Sequence, residues 1–341
     1  MHIQTEPELE ELLSMPDDAT AAAMASLEGD LLILGAGGKM GPSLARLAHR
    51  SCERAGIRKR IVAVARFTNS SLAAELSAAG IETITCDLLD REALARLPHI
   101  PNVIFMAARK FGTSGEAHLT WAMNTYLPGL VAERYRDSRI VAFSTGNVYP
   151  LRSISQGGAT ETTPVDPVGE YAQSALGRER MFEYASARWG TRVVLLRLNY
   201  AVDLRYGVLV DIGLAVFERR PIDLAMPRVN VIWQGEANAW CLRSFHFCQA
   251  PPFVLNITGS ETLAVREVAI EFGRNFGIEP TFVSETEGAS ALLSDASKAR
   301  ELFGDPKISP QEMISGIANW IEKGGALLNK PTHFQARDGR F

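Results

Sequence analysis

The sequence predicts an α/β protein with a doubly wound parallel sheet and a smaller mixed α/β lobe at its C-terminal end. From Leu31 onward, short aliphatic and β-branched runs alternate with longer segments of helical periodicity. That alternation is typical of a parallel sheet with helices on both faces. The first run continues directly into a glycine-rich turn and then a helical pattern. With 341 residues and 46% hydrophobic content, the chain is long enough to bury such a core.

Six strands are predicted for the main sheet, with helices between them. The strands are expected over 31–34, 61–65, 82–85, 102–107, 140–144 and 192–196. The helices that connect them are expected over 41–55, 70–79, 91–97, 116–136 and 170–189. Six strands in this alternation predict a Rossmann-type nucleotide-binding domain over residues 30–200.

The two ends of the chain have other patterns. Residues 1–29 are predicted to form an acidic helical extension that is broken at Pro16. Residues 201–330 predict the smaller lobe, with helices over 208–218, 265–276 and 310–323 and a strand over 229–233. A last strand near 253–257 is expected to return to the main sheet, and 331–341 is expected to be a tail.

Three glycines, Gly35, Gly38 and Gly41, shape the turn after the first strand. We expect Gly35 to permit the sharp turn, Gly38 to let the backbone approach a pyrophosphate, and Gly41 to let the helix pack on the sheet. The N–H groups at the start of that helix favour an anion. We therefore predict a dinucleotide site that also includes Lys39 and Met40. The alternative is a purely structural turn.

Charge and composition restrict the partners. The 35 lysines and arginines are scattered among 39 acidic residues, so we expect neither nucleic acid nor an anionic membrane as a partner. No run of about 18 apolar residues occurs and the N-terminus is acidic, which favours a cytoplasmic protein. The four cysteines lack the spacing of metal ligands, so no metal site is expected.

Several short motifs follow the predicted strands in a fixed order. They are Cys86-Asp87-Leu88-Leu89-Asp90, Ala107-Ala108, Met123-Asn124-Thr125, Ser144-Thr145-Gly146-Asn147-Val148-Tyr149 and Arg197-Leu198-Asn199-Tyr200. Together with the glycine loop they resemble the extended short-chain dehydrogenase/reductase family, the NAD(P)-dependent sugar epimerases and dehydratases. The resemblance covers Leu31 to Gly324.

The resemblance implies a role for each motif. It places Asp87 on the adenine amino group with Leu88 beside it, and it lets the cofactor lie close to the backbone at the small pair Ala107 and Ala108. It further implies that Asn124 stabilises the central strands. The two remaining implied roles are a catalytic hydroxyl on Thr145 and a substrate contact at Asn199.

The end of the second strand bears on the choice of cofactor. An NAD site usually has an acid there for the ribose hydroxyls, whereas a 2′-phosphate requires a cation. This strand ends in Arg66 with no acid beside it. Since a guanidinium can pair with a phosphate, we expect NADP to be preferred over NAD. The alternative is a surface arginine that closes a strand.

Tyr171 is the candidate for proton exchange with a substrate hydroxyl. The family has a lysine four residues after this tyrosine, but this chain has Ala175. A cation beside a tyrosine lowers its pKa by about 1–3 units, so another cation is needed. Lys110 is favoured, and Arg178, two helical turns after Tyr171, is the other choice. Alternatively, Lys110 is a solvated loop residue and Arg178 pairs with a neighbouring glutamate.

The reaction type is restricted by the residues after Thr145. The dehydratase branch of the family has an acid pair there, where this chain has Gly146 and Asn147. Elimination of water is therefore disfavoured, and oxidation, reduction or epimerisation of a sugar or sugar-derived acid remain. Arg205 is expected to bind a phosphate or carboxylate of the substrate.

Two further expectations concern assembly and activity. The long helices predicted over 116–136 and 170–189 favour a homodimer, because such helices pair across a two-fold axis in relatives. The competing hypothesis to an enzyme is a catalytically silent NAD(P)-binding sensor or scaffold, which the alanine at position 175 would favour.

Overall fold

Seven parallel strands form the main sheet of the computed structural model, which describes residues 1, 3–110 and 115–339. They are β1 Leu31–Leu34, β2 Ile61–Ala65, β3 Glu82–Thr85, β4 Asn102–Phe105, β5 Arg139–Thr145, β6 Arg192–Leu198 and β7 Phe253–Ile257. Their order across the sheet is β3-β2-β1-β4-β5-β6-β7. The predicted fold class is confirmed, and the strand at 253–257 lies at the edge of the sheet beside β6.

β1 and β4 are neighbours near the middle of the sheet. From β1 the chain adds β2 and β3 on one side, and from β4 it adds β5, β6 and β7 on the other, so the strand order reverses between β1 and β4. Ligands of such sheets bind at the carboxyl ends of the strands at this reversal. The residues of β1, β2 and β4 are all buried, as expected for central strands covered on both faces. By contrast, the edge strand β3 has exposed ends.

Thirteen α-helices are assigned in the described part of the chain. They are α1 Glu6–Leu13, α2 Asp18–Ser26, α3 Gly41–Arg54, α4 Ser70–Ala78, α5 Arg91–Arg96, α6 Ala117–Trp121, α7 Leu127–Arg134, α8 Gly169–Trp189, α9 Val208–Phe217, α10 Gln234–Arg243, α11 Val265–Phe276, α12 Ser297–Phe303 and α13 Pro310–Glu322. Helices α3 and α10 pack on one face of the sheet, and α5, α7 and α8 pack on the other.

Two predicted elements are interrupted. The helix predicted over 116–136 contains a π-helical turn, Ala122–Tyr126, in which Asn124 is fully buried. The strand predicted over 229–233 is divided into Arg228–Val229 and Ile232–Trp233, which pair with different partners. Asn230 separates them because its side chain is buried and bonds to Asn199 and to the carbonyl of Ser294.

The N-terminal extension packs against the sheet domain. Side chains of Thr5 and Asp17 cap α1 and α2, as expected of N-cap residues. Three arginines spaced four apart on α3 face the extension and pair with its acids, as Arg46–Glu10, Arg50–Glu11 and Arg54–Asp18. The acidic composition of residues 1–29 therefore complements one face of α3.

The residues after α13 are not a detached tail. Thr332 and Phe334 are buried, and Phe334 belongs to the apolar core of the smaller lobe together with α9, α11 and α13. Leu328 donates its backbone N–H to the carbonyl of Arg205, and Arg337 bonds to Ser290. We call residues 324–339 the C-terminal segment. Within the described residues, no helix is long and apolar enough to cross a membrane.

Candidate active site

The glycine loop after β1 has one open glycine between two closely packed ones. Gly35 has φ +94°, and a Cβ on it would lie 2.5 Å from the backbone nitrogen of Ala107. A Cβ on Gly41 would lie 2.3 Å from the carbonyl oxygen of Ala36. A Cβ on Gly38 would meet only the oxygen of Gly35, at 3.6 Å. The backbone at Gly38 is thus open to a bound group, which fits the pyrophosphate cradle that the sequence predicts.

A cavity of about 340 Å³ lies above this loop, at the carboxyl ends of β1, β4 and β5. It brings together ten residues that the sequence singles out. These are Gly35, Gly38, Lys39, Met40, Ala108, Lys110, Thr145, Tyr171, Arg178 and Asn199. Predicted residues of both kinds, for the dinucleotide and for catalysis, therefore face one space, whereas Arg66, Asp87, Leu88 and Asn124 do not line it. Gly41 and Ala107 form the packed surroundings of the loop.

The residues predicted to hold the adenosine half follow the next two strands. Arg66 is exposed directly after β2. Asp87 is exposed just beyond the end of β3, and its carboxylate accepts a hydrogen bond from the N–H of Leu89 at 3.0 Å. Leu88 is buried below it. Because β2 and β3 are adjacent and parallel, both charged side chains lie at the same edge of the sheet.

Tyr171 and Thr145 form a hydrogen-bonded pair. Tyr171 lies in the first turn of α8, and Thr145 is the last residue of β5. The backbone N–H and side-chain amide of Asn147 both donate to the Thr145 oxygen, at 3.2 and 3.0 Å. The hydroxyl proton of Thr145 is thereby left to donate to Tyr171.

Three effects act on the phenol of Tyr171. Burial raises its pKa above the ordinary value, and this is the largest effect. The charge of Arg178 and the hydrogen bond with Thr145 oppose it and lower the pKa. Tyr171 therefore has a cation and a donor that stabilise its ionised form.

Arg178 lies inside the protein, and only 3% of it is exposed. Its guanidinium donates to the carbonyl oxygen of Phe143 at 2.6 Å and to the Oδ1 atom of Asn124 at 3.0 Å. The alternative in which Arg178 pairs with a neighbouring glutamate is not what the structure shows. Glu179 bonds to Arg197, and Glu183 bonds to Arg180.

Asn124 holds the chain after β4 in place. Its Oδ1 atom accepts from the N–H of Arg109, and its amide donates to the carbonyl of Arg109, both at 2.9 Å. The same amide donates to the hydroxyl of Ser174 on α8. The side chain thus joins α8 to the residue that precedes Lys110.

Three lysines line the cavity: Lys39, Lys110 and Lys330. Burial, together with the charges of the other two, lowers the pKa of Lys39 to about 6. Burial lowers the pKa of Lys110 to about 8, opposed by Asp211. Lys110 Nζ lies 5.9 Å from the ring centre of Tyr171. An anionic ligand is favoured here, because it would stabilise the charged forms of these lysines.

The C-terminal segment contributes two lining residues that the sequence analysis missed, Lys330 and Thr332. Lys110 Nζ lies 3.5 Å from the carbonyl oxygen of Thr332, which accepts its hydrogen bond. The one local signal is Phe334, an apolar residue in a polar stretch. That signal predicts packing but not the place where the segment packs.

Arg205, expected to bind substrate, is engaged elsewhere. It is 9% exposed, and its guanidinium pairs with Asp203 and Glu10 at 2.8 Å and with Glu6 at 3.7 Å. It lines two other cavities and not the one that contains Tyr171. Its charge is balanced by carboxylates, two of them from α1, so the structure gives it a packing role.

No group of three or more His, Cys, Asp or Glu side chains that could hold a metal ion occurs in the part of the chain that the structure describes. The four cysteines are unpaired, and three of them are buried.

Comparison with known proteins gives a consistent result. A profile of the NAD dependent epimerase/dehydratase family matches residues 31–202. No curated protein sequence gives a match. Several hundred solved chains do match in structure.

Three of these structures illustrate the likeness. UDP-glucose 4-epimerase of Thermotoga maritima, solved with UDP-glucose, is 16% identical with a TM-score of 0.70 over 86% of this chain and 99% of its own. UDP-glucuronic acid 4-epimerase of Bacillus cereus, solved with UDP-glucuronic acid and NAD, is 17% identical with a TM-score of 0.69 over 86% and 99%. dTDP-glucose 4,6-dehydratase of Bacillus anthracis, solved with NAD, is 17% identical with a TM-score of 0.71 over 86% and 96%.

Proposed function

Because the chain belongs to the NAD dependent epimerase/dehydratase family, we propose that it is an NAD(P)-dependent oxidoreductase or epimerase of a sugar, nucleotide sugar or sugar-derived acid. The observation that carries this proposal is the Thr145–Tyr171 pair, which shares one cavity with the open glycine of the cofactor loop. A silent sensor would have no use for a buried, hydrogen-bonded tyrosine beside a cation.

Family membership makes a nicotinamide dinucleotide the cofactor. The glycine loop, Lys39 and the start of α3 would hold its pyrophosphate, and Arg66 and Asp87 its adenosine half. When bound, the nicotinamide supplies hydride exchange with a carbon of the substrate. The exposed Arg66 at the end of β2 supports a preference for NADP, because a guanidinium can pair with the 2′-phosphate.

The protein's own part in the reaction is to move a proton and to hold the substrate. The phenolate of Tyr171 takes the proton from a substrate hydroxyl as the carbonyl forms, and returns it in the reverse direction. Thr145 donates a hydrogen bond that stabilises the phenolate. Asn147 follows Thr145 and cannot act as an acid or base at neutral pH, so oxidation, reduction or epimerisation is favoured over elimination.

The substrate is proposed to carry a phosphate or carboxylate. Lys110, Lys330 and Asn199 line the same cavity as Tyr171. These lysines take the role that the sequence analysis gave to Arg205. The solved relatives above act on nucleotide sugars, which are anionic, and this supports the same charge class here.

Substitution of Tyr171 by phenylalanine tests the proposal. We expect Tyr171→Phe to abolish turnover across a panel of sugar nucleotides, sugar phosphates and sugar acids, while NAD(P) binding followed by fluorescence stays unchanged. Tyr184→Phe, an exposed tyrosine on the same helix, is the matched control. Products must be separated by chromatography, because an epimerase gives no net change in nicotinamide absorbance. Turnover that survives Tyr171→Phe would refute the proposed role.

The homodimer and the cytoplasmic location stay predictions. The exposed aromatic side chains of Trp121 and Tyr126 lie on α6 and the π-helical turn, within the first of the two predicted pairing helices. An isologous dimer would bury them. Light scattering at micromolar concentration should give twice the monomer mass, and a monomer would contradict the prediction.

A further inference from the structure

Arg178 is a buried cation whose two hydrogen-bond acceptors are uncharged. They are the carbonyl of Phe143 and the amide oxygen of Asn124. Within the residues that the structure describes, no carboxylate lies within salt-bridge distance of Arg178. A charge buried without a partner is expensive. Its position therefore calls for a reason other than stability.

The acid next to Arg178 in the sequence cannot supply that partner. Both carboxylate oxygens of Glu179 bind the guanidinium of Arg197, at 3.0 and 2.7 Å, and one also accepts from the hydroxyl of Ser144. Glu179 thus forms its ion pair with Arg197 on β6, and its charge acts on Arg178 only without a hydrogen bond, as a contribution that raises the Arg178 pKa.

The Nε–H group of Arg178 is not used by these two hydrogen bonds. Its Nε atom is buried and makes no hydrogen bond to any residue in the described ranges. Buried donors are nearly always satisfied, so an exception calls for an explanation, of which a role in catalysis is one. Arg178 lines the same cavity as Tyr171, which is the one side chain there that acquires a negative charge in the proposed reaction.

We propose that Arg178 is the positioning cation of this site, which holds the ionised Tyr171 while the proton resides on the substrate. This inference rests on the proposed function, because a phenolate is needed only if Tyr171 transfers a proton. In the forward step the O–H bond of the substrate breaks, its proton goes to Tyr171, a carbonyl forms and a hydride leaves for the oxidised nicotinamide. Arg178 keeps its charge throughout.

Two neighbouring positions are less suited to this role. Ala175 is fully buried against Val148 and Tyr149, so no charge comes from that position. The ammonium of Lys110 lies beside the ring of Tyr171 and interacts with Asp211. Its pKa of about 8 means that it is neutral in the alkaline range where a tyrosine ionises, whereas the ordinary pKa of a guanidinium lies far above that range. Burial lowers the pKa of Arg178, and the charges of Tyr171 and Glu179 raise it again. Consistently, it is Arg178 whose charge lowers the pKa of Tyr171.

The experiment titrates Tyr171 without substrate or cofactor. The ultraviolet absorbance of phenolate is followed against pH for each protein, and the curve of the same protein carrying Tyr171→Phe is subtracted. The variants are Arg178→Met, Arg178→Lys and Lys110→Met. Arg180→Met is the matched control, since Arg180 is an exposed arginine on the same helix that pairs with Glu183.

Arg178→Met should raise the pKa of Tyr171 by about one to three units, and Arg178→Lys should restore most of the wild-type value. Lys110→Met and Arg180→Met should leave the pKa of Tyr171 unchanged. If Arg178→Met does not fold, Arg178→Gln takes its place, since it keeps one hydrogen bond without the charge. If Tyr171 has the same pKa in Arg178→Met or Arg178→Gln as in the wild type, the inference is wrong.

The same data separate this inference from the proposed function. If the titration shifts as expected but no substrate is turned over, Arg178 acts on Tyr171 and the enzyme proposal fails. If turnover depends on Tyr171 but the pKa of Tyr171 does not change in Arg178→Met, the enzyme proposal holds and the inference fails. In an active protein, Arg178→Met should also move the alkaline limb of the pH–rate profile, which a purely structural arginine would not do.

Discussion

Thr332 donates both its backbone N–H and its hydroxyl to one carboxylate oxygen of Asp211, at 2.7 and 2.5 Å. Asp211 lies in the first turn of α9, where a negative charge is favourable. This contact fixes the C-terminal segment beside the cavity, so that Lys330 lines it and the carbonyl of Thr332 faces Lys110. The C-terminal segment therefore completes part of the wall of the cavity that Tyr171 lines.

Removal of this carboxylate should loosen the C-terminal segment. A hydrogen bond to a charged group contributes about 1.5–3 kcal/mol, so Asp211→Ala should speed amide exchange over 326–336 on the order of ten- to a hundredfold. Hydrogen exchange followed by mass spectrometry measures this. Asp223→Ala, at an exposed aspartate of the same lobe, should leave the exchange unchanged. Equal protection in Asp211→Ala and the wild type would show that this contact does not hold the segment.

Cofactor binding should take up a proton at Lys39. Burial and the charges of Lys110 and Lys330 lower its pKa to about 6, so near neutral pH it is largely neutral. A bound pyrophosphate favours the charged form and raises that pKa, and a proton enters. Below pH 6 the lysine is already charged, so the uptake should disappear there. Calorimetry of NADP binding in buffers of different ionisation enthalpy measures it.

The control for this proton uptake is Lys39→Met. That variant should bind the cofactor more weakly and without the pH-dependent uptake. If uptake in the variant equals that of the wild type, another group is the source.

How far the sequence predicts this site depends on how local each feature is. Gly35 and Gly38 could be predicted because a strand, a tight turn and a helix follow each other in the sequence. Thr145 and Tyr171 could be paired because the motifs that contain them resemble those of the family. Lys330 could not be predicted, because its place depends on the path of a segment without periodicity.

Arg205 is a residue that sequence reasoning assigned to the site and that packs elsewhere. Its residue type and position fit an anion site, but helix α1, far away in the sequence, supplies Glu6 and Glu10 to its guanidinium. Which of several cations a carboxylate meets is decided by tertiary packing. Tertiary packing likewise decides the partner of Arg178, which bonds to the amide oxygen of Asn124 in the π-helical turn.

Arg66 should decide between the two dinucleotides. Arg66→Ala should weaken NADP binding on the order of ten- to a hundredfold, the loss of a charge-assisted hydrogen bond of about 1.5–3 kcal/mol, and leave NAD binding nearly unchanged. Fluorescence titration gives both dissociation constants. Arg96→Ala, at an exposed arginine on α5, should change neither. A parallel loss for NAD and NADP would mean that Arg66 does not contact the 2′-phosphate.

The buried pair of Glu179 and Arg197 should be important for stability. Glu179 is fully buried and the Arg197 side chain is 6% exposed. Replacement of Glu179 by glutamine leaves Arg197 with an uncompensated charge, which typically costs about 3–5 kcal/mol. Urea unfolding should therefore show Glu179→Gln to be strongly destabilised. Arg180→Met, which breaks an exposed pair on the same helix, should cost at most about 1 kcal/mol.

A double variant separates the charge from the packing at this pair. In Glu179→Met with Arg197→Met, no charge is left unpaired, so the protein should be more stable than with Glu179→Gln alone. The hydroxyls of Ser144 and Tyr149 bond to the pair. They lose these partners in the double variant, and this loss accounts for the destabilisation that remains relative to the wild type. If the double variant is less stable than Glu179→Gln, the attraction between the two ions exceeds the cost of burying them.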